Sequence, residues 1–225
     1  WLGYFDKIAR ADAFVILDDV QFPKTGGTWS NRVQVLLSGE PHWVTAPLDR
    51  SFHGTRLINE MEFSSKENWR RKVLNNLVTN YKRAPYFDEA YSTIEPLIQN
   101  PDNNVAEFNI HAIRTLVKEL GYPVNLLTRS STYSTESSAT ARLISLTKSV
   151  GGNRYLCGGG AFAYQQDYVF EPEGVTLVYQ KFSHPEYPQF GRHDFVAGLS
   201  IIDALMNLGF SGVTEILTMT EKHGS

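Results

Sequence analysis

A single cysteine, Cys157, is all that 225 residues carry, so no disulfide forms within the chain and nothing in it demands an oxidising compartment. Basic residues do not outnumber acidic ones: 21 Lys and Arg stand against 24 Asp and Glu, a formal net charge of −3. That balance argues against non-specific nucleic-acid binding, which needs cations to displace counterions. No apolar run approaches the roughly 18 residues that cross a bilayer. There is no CxxC and no helical pair of histidines, so zinc would have to rely on scattered His and carboxylates. Internal repeats, low-complexity tracts and long charge runs are absent as well. The opening, Trp1-Leu2-Gly3-Tyr4-Phe5, is no signal peptide and reads like the middle of a segment. What is there, 42% hydrophobic and 12% aromatic residues, suits one domain spanning 1–225 with a real core.

The apolar run 13–17 (AFVIL) lies between Asp12 and Asp18-Asp19; lacking alternation, it predicts a strand buried on both faces. Runs 33–37 and 43–46 across Ser38-Gly39-Glu40-Pro41 predict a hairpin with a four-residue connection. Helical spacing follows over 68–81, over 86–99 with a bend or early stop at Pro96, and over 105–120 with Gly121 as terminator. A strand–helix rhythm then takes over. Strands fall at 125–127, 154–157 and 175–180, and helices at 136–150 behind a Ser134 or Thr135 cap, at 162–168, and at 199–208 before Gly209. Alternation of this kind implies right-handed crossovers. The expected fold is α/β: an open, mainly parallel Rossmann-like sheet flanked by helices, with a β-hairpin and helical block inserted over about 30–120.

Ligands of open parallel sheets bind beyond the strands' carboxyl ends. Asp18 and Asp19 close the first strand, Arg129 and Ser130 the next, Gly158, Gly159 and Gly160 a third, and Lys181 to His184 a fourth. Asp19 is a candidate general base and Asp18 a holder of hydroxyls, with Gln21 close behind; one of the acids can equally cap the turn. The three glycines can hold a phosphate at a helix start, or simply make a tight turn; they match neither GxGxxG nor the Walker spacing. Cys157 precedes them as a small apolar residue or, less simply, a nucleophile. His184-Pro185-Glu186-Tyr187-Pro188-Gln189 is a stiff loop expected to present His184 as acid or base and Tyr187 and Gln189 as contacts. Trp29, Asn31 and Arg32, with His42 across the hairpin, suit a sugar or a base stacked on an indole. His53, His111 and Asp203 are weaker candidates.

These strings resemble the WbqC-like family: 1–9 (WLGYFDKIA), 14–22 (FVILDDVQF), Asn31-Arg32, 43–47 (WVTAP), the segment from Gly152 to Gly158, 184–189 (HPEYPQ) and 199–203 (LSIID). The resemblance covers nearly the whole chain. It implies work in bacterial O-antigen, surface-polysaccharide or natural-product biosynthesis, on an activated sugar. Three departures stand out. The His-Gln-Pro usual ahead of Trp1 is not in the sequence. Cys157 takes the place of a serine, which argues against an essential thiol. Tyr164-Gln165 replaces a Tyr-Leu pair. The expected function is that of a cytoplasmic transferase moving an acyl or aminoacyl group to the amine of a nucleotide-linked sugar. A nucleotidyl-transferring enzyme or a non-catalytic assembly component of the same pathway are the alternatives. The partner is a small molecule, with no nucleic acid and no membrane span, and no cofactor is specified by the residues.

Overall fold

The computed structural model describes residues 1–23, 28–135, 139–158 and 165–222. Helix α1 (Leu2–Ala9) comes first, where the sequence predicts no element. Leu2, Phe5 and Ile8 recur at helical spacing and are buried, so seven residues of periodicity sufficed once tertiary packing was available. Strand β1 (Phe14–Ile16) follows, as three residues of the expected five.

Strands β2 (Arg32–Leu37) and β3 (Glu40–Thr45) form the hairpin. Its connection is two residues, not four: Ser38 and Gly39 both have positive φ (52° and 78°), the type I′ geometry that matches strand twist. Glu40 and Pro41 pair instead with Leu37 and Leu36, the proline being tolerated because β3 is an edge.

Helices α2 (Trp69–Tyr81), α3 (Phe87–Gln99) and α4 (Val105–Glu119) form the helical block. Asn104 caps α4 by accepting from Ala106 and Glu107. Helix α3 runs through Pro96 to Gln99, because burial of Leu97 and Ile98 holds its last turn despite the lost amide donor. Beyond it come β4 (Leu127–Arg129), α5 (Ala139–Ser149), β5 (Arg154–Cys157) and β6 (Thr176–Tyr179). The expected start of α5 at 136 and much of the helix expected at 162–168 lie outside the described residues. The described remainder of the latter holds one 3-10 turn, Asp167–Val169.

Helix α6 (Ile201–Lys222) continues where a stop was expected, because Gly209 (φ 67°, ψ 179°) breaks rather than ends it. A Cβ there would lie 2.7 Å from the Tyr86 ring, and the Glu89 carboxylate accepts from the Phe210 amide and restarts the helix. Residues 201–219 are long and apolar enough to span a bilayer, but half of that stretch is buried inside the protein, with Ala204, Leu205 and Met206 fully enclosed.

The fold is therefore mixed helix and strand, with small parallel sheets flanked by helices. The expected single sheet is not one ladder among the described residues. β1 pairs in parallel with β4, β5 in parallel with β6, and the hairpin stands apart. The main core joins α1 and β2 to α2, α3, α4 and α6, while Leu143, Ile144, Phe170 and Val175 pack under the β5–β6 pair.

Candidate functional site

Register sets the first cluster. Ile16 stands opposite Arg129, so the residues that follow β1 and β4 emerge side by side. Asp18 turns inward and is 2% exposed; it accepts from the Ser131 amide (3.0 Å) and hydroxyl (2.7 Å) and from the Ser130 hydroxyl (3.2 Å). Asp19 turns the other way, onto Arg142 of α5 and the Ser130 hydroxyl. Partial burial alone would raise the Asp19 carboxyl, but the bonds from Arg142 and Ser130 outweigh it and hold it below its ordinary value. Beside them Arg129 makes a two-pronged ion pair with Glu107 of α4, and that bond likewise lowers the Glu107 carboxyl.

Aromatic rings make the second cluster. The Trp1 indole N–H donates to His184 Nε2 at 3.0 Å. An indole nitrogen can only donate, so His184 is neutral with its proton on Nδ1. Burial pushes its pKa down. Phe182 packs edge-on to both rings (5.2 and 5.0 Å). Trp1 leads to Trp29 (6.4 Å), Trp29 to Trp43 (5.5 Å), and the Arg32 guanidinium sits 4.4 Å over Trp43. Trp29 and Trp43 remain 61% and 43% exposed, a large apolar surface to leave in water.

The two clusters share a cavity of about 980 Å³ whose wall includes Trp1, Lys7, Asp18 and Trp29. Lys7 lies 3.3 Å from where a Gly158 side chain would begin, and burial pulls its ammonium below the usual lysine value. Among the described residues no carboxylate forms an ion pair with it. Nor do the described residues include a group of three or more His, Cys, Asp or Glu placed to hold a metal ion.

Several expected contacts are placed elsewhere. Tyr187 and Gln189 are not presented by their stiff loop; both are buried and donate to the carboxylate of Asp203 (2.8 and 3.3 Å), which also receives Tyr81 at 2.8 Å. Asn31 closes its own turn, accepting from the Thr28 amide and donating to the Ala46 carbonyl. His42 sits opposite Val35, whereas Trp43 sits opposite Gln34; neighbours on a strand face opposite ways, so His42 is not on the indole platform. Gln21 is exposed, its backbone bridged to Leu57. Cys157 is buried and its thiol pushed up by burial, the opposite of activation. Gly159 and Gly160 lie outside the described residues.

The family model described as "WbqC-like protein family" matches residues 1–215. The chain belongs to the WbqC-like family. An "Uncharacterized protein Rv1507c" of Mycobacterium tuberculosis (strain ATCC 25618 / H37Rv) is 27% identical over 211 residues, covering 93% of this chain and 89% of its own length. No solved structure matches.

Sequence reasoning missed four residues of this WbqC-like chain's site: Trp1 and Lys7 in the cavity wall, and Ser131 and Arg142 as partners of the acidic pair. Lys7 belongs to α1 and Trp1 immediately precedes it, and the apolar spacing of that helix was legible. Arg142 carried no local signal, because its partner Asp19 is 123 positions away.

Proposed function

We propose that this WbqC-like chain is a transferase that holds an activated, phosphate-bearing sugar at the rim of the cavity and moves an acyl or aminoacyl group onto the sugar's amine. The setting is bacterial O-antigen, surface-polysaccharide or related biosynthesis, in the cytoplasm where such donors are made. The observation that carries the reading is the exposed Trp29–Trp43 pair beneath Arg32. Indole faces in water next to a cation suit a sugar ring or a base linked to phosphate. Lys7, desolvated beside the Gly158 backbone, gains a counter-charge when a phosphate arrives.

In this reading the sugar amine attacks the acyl carbonyl carbon, the bond from that carbon to its carrier breaks, and the amine proton passes to the protein. His184 is neutral and accepts it at Nε2 once the Trp1 N–H gives way to the incoming amine. Asp19, held ionised by Arg142, is the weaker base and orients the acceptor by charge. Asp18 locks the turn through Ser131 rather than touching the sugar. An open Rossmann-like sheet would place these groups at its carboxyl edge.

A thermal-shift panel of nucleotides, amino-sugar nucleotides and acyl-CoA tests the reading. Binding at a hundredfold excess over Kd adds about 2.7 kcal/mol, or roughly 5–10 °C for a chain of this size. No response to any anion-bearing compound overturns it in favour of an assembly role. With a responding pair in hand, Asp19→Asn and His184→Ala are assayed for turnover apart from binding; unchanged turnover in both removes the proton-transfer assignment.

A further inference from the structure

Strand β6 ends at Tyr179, and the residue after it, Gln180, is buried. Its side-chain amide gives both hydrogens to α1. Nε2 donates to the Gly3 carbonyl at 2.7 Å and to Asp6 Oδ2 at 2.6 Å, the two protons that an amide nitrogen carries. The main chain of Gln180 ties in two further places. Its amide donates to the Cys157 carbonyl at the end of β5 (2.9 Å), and its carbonyl accepts from the Arg10 guanidinium just past α1 (2.9 Å). Arg10 in turn lies 3.6 Å from the Asp6 carboxylate, which closes a ring of contacts around one glutamine.

Three parts of the rim leave from this node. Lys7 follows Asp6, Gly158 follows Cys157, and Lys181 leads on to Phe182 and His184. Lys181 has a positive φ of 49°, uncommon for a residue with a side chain. The loop beyond it brings Phe182 and His184 onto the Trp1 ring (5.2 and 5.9 Å). A side chain at Gly158 would begin 3.3 Å from Lys7 Nζ and 4.0 Å from Gln180 Oε1, so the ammonium and the amide crowd the same stretch of backbone.

We propose that Gln180 is the positioning residue of this site: its side-chain amide fixes where the Lys7 ammonium and the His184 imidazole stand relative to the Gly158 backbone. The proposal rests on the reading of the rim as a phosphate seat beside a base. Each hydrogen holds one end of α1. The bond to Gly3 anchors the first turn, next to Trp1, whose indole donates to His184. The bond to Asp6 anchors the second turn, which carries Lys7. A hydrocarbon side chain of similar size would keep the main-chain ties of Gln180 but would withdraw a donor from both buried oxygens. Helix α1 then shifts to rehydrate them, and both groups move with it.

NMR titration of selectively labelled lysine and histidine, in the parent and in folded Gln180→Leu, tests the proposal. Lys7 and His184 should each titrate about half a unit or more higher in the variant, as they lose the burial that lowers them. Asp19, held by Arg142, should keep its lowered value. The double variant Gln180→Glu with Asp6→Asn keeps the net charge and exchanges donor for acceptor. It should restore Lys7 and leave His184 shifted, because the Gly3 carbonyl still lacks its donor. Parent-like titration of either group in Gln180→Leu overturns the proposal and leaves the glutamine a stabilising residue only. If Gln180→Leu does not fold, the double variant decides, and a parent-like His184 there overturns the proposal. Calorimetry with pyrophosphate separates the proposal from the reading beneath it. A parent that does not bind pyrophosphate removes the phosphate seat, while the titrations still decide the role of Gln180. A parent that binds, with Gln180→Leu at least about tenfold weaker, supports both; equal affinity in the two overturns the proposal.

Discussion

Tyr81→Phe removes one oxygen and should cost far more than its size suggests. The Tyr81 hydroxyl is buried, donates to Asp203 Oδ2 at 2.8 Å and accepts from the Leu36 amide at 2.8 Å. It therefore ties α2 to both β2 and α6. Without it a carboxylate loses a charge-assisted bond, worth about 1.5–3 kcal/mol, and a buried amide is left without a partner at a further cost of about 1–3 kcal/mol. The expected loss is about 3–5 kcal/mol, or roughly 6–20 °C in Tm. The pH dependence separates the two parts. Burial raises the Asp203 carboxyl above its ordinary value even with its donors in place, so its contribution declines as pH climbs from the unfolded carboxylate value through the folded one. Losing a donor raises the folded value further. The deficit of Tyr81→Phe against the parent should thus widen from pH 4 to pH 7, measured by urea unfolding followed by circular dichroism. A deficit below about 1 kcal/mol, or one equal at both pH values, refutes the view that the Tyr81 hydroxyl supports the Asp203 carboxyl.

Gly209→Ala places a side chain at positive φ and 2.7 Å from the Tyr86 ring; a loss of about 2–4 kcal/mol in urea unfolding is expected, and an unchanged midpoint would contradict the break in α6. Arg142→Met removes the bond that depresses Asp19. The stability that this bond confers is present above the unfolded carboxylate value and fades as pH falls through the lowered folded one. The variant should show a higher Asp19 pKa by NMR titration and a flatter acid limb of stability. Trp43→Ala touches an exposed ring, so folding should change by no more than about 0.5 kcal/mol, yet any ligand-induced thermal shift should fall sharply; a retained shift would remove the indole platform from binding.

Much of the fold was legible where a local rule operates. The apolar run at 13–17 and the periodicity of 105–120 needed no partner to be read, whereas Asn104 was read as loop although its side chain caps the helix. The hairpin was visible but its turn was not, since Ser38 adopts positive φ under the pull of twist and register rather than by its own preference. The continuation past Gly209 depends on Glu89, far away in sequence, supplying the cap. In the site, residue types were informative and directions were not. That an acidic pair closes β1 follows from order along the chain, whereas which acid meets Ser131 and which meets Arg142 follows from packing.

The directions obey a common pattern with a physical cause. Three of the motifs that the sequence singles out have one inward and one outward member: Asp18 and Asp19, Asn31 and Arg32, and, within one loop, Tyr187 and His184. The inward member satisfies its polar atoms on the protein's own backbone or on a buried partner. A loop holds a single conformation only if such bonds offset the entropy of ordering it, about 1–2 kcal/mol per residue. Asn31, bonded to Thr28 and Ala46, fixes the turn from which Arg32 reaches Trp43; Tyr187, bonded to Asp203, fixes the loop from which His184 reaches Trp1. Substituting an inward residue should therefore degrade the site through loss of order, with stability falling first. Substituting Arg32 or His184 should leave the fold intact and act on the ligand alone. Positions one or three residues apart in the sequence thus separate into scaffold and contact by the sign of a single comparison, stability against binding.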